Sequence, residues 1–235
     1  LMQVHLVHAH PEPQSFSSAL AQIAAASLSG YGHSVTVSDL YQTRWNAVAT
    51  AHDFADRADH DYMNYALEQR HNHKSDTLSA DITDELNALL AADLLILNFP
   101  LYWFSTPAIL KGWIDRVLVA GAIYGGKRIY SKGGLVGKRA LVTCTLGGRA
   151  DMFGDDGIHG QLNDMLKHLL QGTLGYTGMT VLNPFYAYHV PYISDADRQQ
   201  ILSDYHERLA GIMDEKGLIM PDLNQFDSSF RPLAT

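Results

Sequence analysis

Three short segments carry residue types that could do chemistry. The first is His10-Pro11-Glu12-Pro13-Gln14-Ser15-Phe16-Ser17-Ser18. Serine hydroxyls and free N–H groups at the start of a helix suit a phosphate or pyrophosphate, and they equally suit a plain cap. The segment lacks the glycines of a dinucleotide fingerprint and the lysine of a P-loop. The second is Pro100-Leu101-Tyr102-Trp103-Phe104-Ser105-Thr106-Pro107, with three consecutive aromatics directly after an apolar run. Three such rings cannot all face a core. They suit a flat apolar ligand or a surface covered by a second copy of the chain. The third is Thr145-Leu146-Gly147-Gly148-Arg149 followed by Gly157-Ile158-His159-Gly160. Paired glycines let backbone approach a ligand closely. His159, bracketed by small residues before a helix, can meet developing negative charge or serve a structural role.

Other reactive side chains point less clearly. His5, His8 and His10 lie on or beside one strand, but spacing offers no third ligand, so no metal is expected. His71 and His73 read as solvated loop residues. The one cysteine, Cys144, sits in an apolar strand and reads as an inert buried thiol.

The elements that must position these segments alternate strand and helix. Residues 3–8 and 33–37 read as strands, separated by a helix that Ser15 caps and Gly30 and Gly32 end. Helix 80–91 precedes the run Asp93-Leu94-Leu95-Ile96-Leu97-Asn98-Phe99, which is apolar enough for burial on both faces of a parallel sheet. Helix 107–119, strand 139–145, a helix near 160–171, a strand near 179–183 and helix 195–214 follow. Residues 41–78 show no sustained period and read as a long excursion with a short helix at 60–69. The tail 217–235 is also aperiodic. The expected fold is α/β: one domain over residues 1–235, a three-layer sandwich around a five-stranded parallel doubly wound sheet. Ligands then bind at the carboxyl ends of the strands, in loops 8–18, 98–106 and 145–159.

The composition bounds the function. A chain of 235 residues with 46% hydrophobic and 18% charged side chains is globular. A net charge of −8 argues against nucleic-acid binding. No apolar run reaches membrane-spanning length. The opening run Val4-His5-Leu6-Val7 lacks the features of a signal peptide, and a single cysteine fits a reducing cytoplasm.

Taken together, A-H-P-E-P-Q-S-F, F-P-L-Y-W-F-S-T-P-A-I-L-K-G-W-I-D-R-V and T-L-G-G…G-I-H-G resemble the NAD(P)H:quinone oxidoreductase family. The similarity runs from about residue 4 to 212 and implies a flavodoxin-like fold and a homodimer with a site at each end of its interface. It assigns His10, Ser15, Phe16 and Ser17 to the flavin phosphates, with Arg198 near the pyrophosphate. It assigns Pro100, Leu101, Tyr102, Trp103 and Phe104 to the isoalloxazine, and Thr145, Leu146, Gly147 and Gly148 to a second flavin loop. Asn64 falls near a polar cofactor contact. His159 corresponds to the histidine that stabilises charge on the reduced flavin.

The chain departs from the family at several of these positions. Tyr102 stands where the animal enzymes carry Gln. Phe153 replaces the active-site Tyr six residues before the histidine. Of two gating tyrosines Tyr124 is kept and the other falls on Gly126, so a more open pocket is expected. The family's long C-terminal extension is mostly absent, which leaves the choice between NADH and NADPH open.

The resemblance implies FAD, with FMN as the alternative, and a ping-pong reaction. NAD(P)H passes a hydride to the flavin, and a quinone or similar acceptor then takes two electrons. Two other roles stay open at this stage: an ancillary flavin-binding subunit of a potassium-efflux transporter, and a flavodoxin-like one-electron carrier.

Overall fold

The computed structural model describes residues 1–234. Strand β1 (Gln3–His8) leads into helix α1 (Phe16–Gly30), and β2 (Ser34–Asp39) follows. Next come α2 (Tyr65–Ser75), α3 (Ala80–Ala91), β3 (Leu94–Pro100), α4 (Ala108–Val117) and β4 (Arg139–Thr145). The chain continues through α5 (Leu162–Met165), α6 (Lys167–Leu169), a π-helical turn Leu170–Gly175, β5 (Thr180–Val181), β6 (Phe185–Ala187) and α7 (Asp195–Ala210). The strands run parallel in the order β2-β1-β3-β4-β5, with β6 also on β4.

Alternation along each strand splits the apolar side chains between two cores. Val4, Leu6, Leu94, Ile96 and Leu141 pack with Leu20, Leu28 and Leu209 beneath α1 and α7. Val7, Leu95, Leu97, Phe99 and Val142 pack with Ile82, Leu89, Leu110 and Trp113 beneath α3 and α4. Every residue of β3 is buried, as its unbroken apolar run requires at the centre of a doubly covered sheet. The three-layer arrangement and the strand order are those of the flavodoxin-like class.

The last strand differs from expectation. The run near 179–183 is not one strand: it breaks into β5 and β6. Val181 pairs with Ala140 and Phe185 with Thr143, so three residues oppose two and the ladder carries a bulge. Pro184, which has no N–H, sits at the break. The extra residue reverses the side-chain parity. Phe185 joins the α1–α7 core, and Tyr186 turns to the opposite face beside Tyr188. A one-residue slip of this kind changes no hydrophobic pattern long enough to read from sequence.

The excursion is anchored by charge. The helix expected at 60–69 lies at Tyr65–Ser75 and has a low apolar content. Arg116, 2% exposed, donates to Asp53, Asp81 and the carbonyl of Asn46, and it stacks 4.7 Å from the Trp45 ring. The Tyr65 hydroxyl donates to Asp53 at 2.5 Å. Buried Glu68 accepts the N–H groups of Ala58 and Asp59.

Asp53 is as buried as Arg116, whereas the Asp81 side chain is 41% exposed. Asp53→Ala should therefore lower unfolding stability by about 3 kcal/mol, because it removes the buried carboxylate that faces a buried cation. Asp81→Ala should cost less than about 1 kcal/mol. Urea denaturation of the two variants measures the difference.

Candidate active site

The three segments emerge side by side at the carboxyl edge of the sheet. Ser15 caps α1, its Oγ accepting the Ser18 N–H at 3.0 Å. The N–H groups of Phe16 and Ser17 have no partner among the described residues, as expected in a first helical turn. The Ser17 side chain is 2% exposed and its Oγ lies 2.7 Å from Thr145 Oγ1. That contact ties the first segment to the third and leaves Ser17 only its backbone to offer a ligand. Phe16 packs into the α1–α7 core.

The second segment forms a tight turn. Tyr102 and Ser105 exchange backbone hydrogen bonds of 3.0 and 2.9 Å, and Leu101 donates to Thr145 O at 2.8 Å. The two central residues, Trp103 at φ 51° and Phe104 at φ 53°, both adopt the left-handed conformation. A turn of this type favours Asn and Gly, and aromatic side chains there cost of order 1–3 kcal/mol each. The strain projects Trp103 into solvent at 97% exposure and leaves the N–H groups of Trp103 and Phe104 without partners among the described residues.

The third segment is clamped by a residue that the sequence did not single out. His189 donates its N–H to Gly148 O at 2.9 Å, and its Nδ1 lies 3.0 Å from Gly147 O. The N–H groups of Gly147 and Gly148 stay free among the described residues. Further on, the His159 N–H donates to Met152 O at 2.9 Å. His159 lies between two rings, with its centroid 5.1 Å from Phe104 and 5.0 Å from Phe153. Tyr188 backs Phe153 at 5.7 Å. His189 has φ 56°, and both its position and that of Tyr188 depend on the β5–β6 bulge, so no local pattern marks them.

Leu101, Trp103, Phe104, Leu146, Gly147, Gly148, Phe153 and His159 together line one cavity of about 270 Å³. Its walls are apolar and aromatic, four unpartnered backbone N–H groups lie on its two loops, and one imidazole stands at its side. Such a donor set fits the polar edge of a planar heterocycle, and the free N–H groups at the start of α1 fit an attached phosphate.

Other expected site residues lie elsewhere. His10 accepts the Glu12 N–H and lines a separate groove with Asp39, Tyr41 and Gln42. Arg198 bonds the Val190 carbonyl and pairs with Asp195 at the start of α7. Asn64 is the N-cap of α2. Tyr124 lines a cavity of about 420 Å³ with Tyr65, Gln69, Asp115 and Tyr176, and this cavity shares no lining residue with that of His159. Within one chain, Tyr124 and His159 therefore do not meet. Cys144 is fully buried, and burial raises its thiol pKa, so it is unreactive. Among the described residues no cluster of three or more His, Cys, Asp or Glu could hold a metal ion. No described helix is long and apolar enough to cross a membrane.

Residues 2–209 match the family of the flavodoxin-like fold. Ribosyldihydronicotinamide dehydrogenase [quinone] of Mus musculus is 40% identical over 91% of this chain and 93% of its own length. NAD(P)H dehydrogenase [quinone] 1 of Rattus norvegicus is 37% identical over 96% of this chain and 83% of its own. The chain belongs to the NAD(P)H:quinone oxidoreductase family. A crystal structure assigned as a quinone reductase from Klebsiella pneumoniae superposes with a TM-score of 0.94 at 36% identity, covering 99% of this chain and 94% of that one.

The loop carrying His159 has little room to move. A Cβ at Gly157 would stand 2.4 Å from Met152 O, the carbonyl that holds the His159 N–H. Gly157→Ala should push His159 out from between Phe104 and Phe153, at a stability cost of about 1–3 kcal/mol. The His159 ring protons, which feel the ring currents of both aromatics in the parent, should shift towards free-imidazole positions in the NMR spectrum of the variant.

Proposed function

We propose that this quinone oxidoreductase carries a flavin in the His159 cavity and uses it to pass two electrons from a reduced nicotinamide to quinones or similar acceptors. The observation that carries the reading is the cavity itself: eight lining residues, all from the aromatic turn and the Leu146–His159 segment, with free N–H groups beside an apolar and aromatic wall. Bound there, the flavin supplies the redox chemistry. The residues of the chain orient it and set the local charge.

In this reading the N–H groups of Trp103, Phe104, Gly147 and Gly148 orient the ring, and those of Phe16 and Ser17 take the phosphate. Phe104 and Phe153 pack against the imidazole of His159, which stays partly exposed. In that setting an N–H donor or a positive charge on His159 counters negative charge that develops at the ring edge. With Phe153 in place of a tyrosine, no hydroxyl at that position shares the task. Donor and acceptor use the same open face in turn, which is a ping-pong scheme.

FAD is the flavin proposed, with FMN the alternative, because the excursion is kept and is anchored to the core through Arg116. A homodimer completes the site. Val48, Tyr62 and Leu67 on the excursion are 64%, 73% and 55% exposed, and the Tyr124 cavity stands free to face the His159 cavity of a second copy. The mouse relative is matched over nearly its whole length and the rat relative over less of it. Ribosyldihydronicotinamide therefore belongs beside NADH and NADPH among the donors to test.

The purified protein should bind one flavin per chain, identified by mass after release, and should scatter light as twice its 26.0 kDa chain mass. Failure to bind either flavin near neutral pH overturns the reading. His159→Ala should retain flavin and slow its reduction by the nicotinamide donor, by roughly 10- to 1000-fold in stopped-flow traces. An unchanged rate makes His159 structural.

A further inference from the structure

Beneath the phosphate end of the site lies a buried polar chain that the catalytic reading does not use. Asn98, 1% exposed at the end of β3, donates through Nδ2 to His8 Nδ1 and to the Ser17 carbonyl, both at 2.9 Å. His8, 5% exposed at the end of β1, therefore accepts at Nδ1 and carries its proton on Nε2, which lies 3.2 Å from Ser18 Oγ. Ser18 Oγ in turn donates to Glu12 O at 2.9 Å, which leaves Ser15 Oγ–H to donate to Ser18 Oγ at 2.9 Å. Each proton in the chain has one place to go. One atom is left over: Asn98 Oδ1 is buried and has no partner.

We infer that His8 and Asn98 form a positioning pair that holds the first turn of α1 in its ligand-binding shape only while His8 is neutral, so that acidification weakens flavin binding. This inference rests on the flavin reading above. A proton added to His8 Nδ1 faces the Asn98 NH2, donor against donor. Rotating the amide by half a turn brings the unpartnered Oδ1 to the imidazolium, but it also sets Oδ1 against the Ser17 carbonyl, acceptor against acceptor. The rotated amide loses its bond to Ser17 O and the unrotated one is pushed off its place by the opposed donor, and Ser17 is the residue whose hydroxyl joins α1 to Thr145 on β4. The orphaned Oδ1 is thus the acceptor for the second state.

The surroundings agree with a neutral His8. Burial lowers its pKa and outweighs the rest: the Asp39 carboxylate on β2 and the backbone carbonyl of Asn98 oppose it, and His10 in the first segment adds to the lowering. The neighbours on α1 and β3 are Ser18 and Asn98, neither of which titrates. With the folded pKa below the ordinary value near 6.5, the contribution is complete above that value and is lost as pH falls through the folded pKa. The other nearby groups give a different response. His10, whose pKa burial lowers, gains a positive charge on acidification and strengthens the hold on an anion, which opposes the effect of His8; Asp39 and Glu12 are the carboxylates that face this pair of histidines.

The test is the dissociation constant of FAD and of FMN on the apoprotein between pH 5 and 8, for the parent chain and for His8→Leu. The parent should lose affinity steadily from pH 7.5 to 5, by up to about 30-fold, the limit that a single histidine of ordinary pKa sets, and His8→Leu should be flat or reversed over the same range. Any titration of the flavin phosphate is common to both proteins and cancels in the comparison. If neither flavin binds at any pH, the flavin reading fails. If flavin binds and both proteins show the same profile, this inference fails alone. Should His8→Leu not fold, the parent decides the matter. Linkage requires the His8 imidazole, followed by NMR, to titrate at a lower pH with flavin bound than without. An unmoved midpoint overturns the proposal.

Discussion

The site hangs on one side-chain amide. Asn98 lies on the central strand, and its NH2 group bridges the ring of His8 on β1 and the backbone of α1. The Ser17 hydroxyl then carries the connection to Thr145 on β4. Three parallel strands end at this edge, and their last polar groups must find partners away from water. Asn98 meets that demand, and in doing so it fixes how α1 enters the sheet. The two segments that line the His159 cavity diverge from the same edge: Leu101 donates to Thr145 O, and Leu146 donates to Ala187 O.

Strain and clamping do the remaining positioning. The turn at Trp103 and Phe104 keeps two aromatic residues in the left-handed region, and the paired hydrogen bonds between Tyr102 and Ser105 hold them there. A relaxed loop would bury Trp103 or let it roam. The strained one sets its ring and its free N–H at the mouth of the His159 cavity. On the other wall, Gly148 sits so close to the Phe153 ring that a Cβ would lie 3.2 Å from it, and His189 pins both carbonyls of the glycine pair. The imidazole of His159 is thereby held between Phe104 and Phe153 by backbone that has no slack.

The excursion obeys a different logic. Its residues are polar because its anchor is electrostatic. Arg116 reaches from α4 to Asp53 and Asp81 and to the carbonyl of Asn46, and Glu68 closes the loop at Ala58 and Asp59. No hydrophobic period can reveal a segment held by ion pairs between residues 35 or 63 positions apart. The helix expected at 60–69 was displaced to Tyr65–Ser75 for the same reason: its N-cap, Asn64, is a side-chain acceptor in a stretch full of them.

The sequence by itself determined the layered α/β fold, β1, β3 and β4 almost to the residue, the Ser15 cap and the two strand-end segments from which the His159 cavity is built. Apolar runs, caps and aromatic clusters are local signals, and local signals survive without neighbours. Only the tertiary structure decided that Tyr124 and His159 belong to different cavities and that Arg198 and Asn64 are engaged in helix-end contacts. It alone revealed His189 as the clamp and Asn98 as the bridge. Those roles arise where β1, β3, β4 and the bulged β5–β6 edge come together, at separations of 42 residues for His189 to Gly147 and 90 for Asn98 to His8. A one-residue bulge, a buried amide and a left-handed histidine gain their meaning from what the fold sets against them, and no window along the chain contains it.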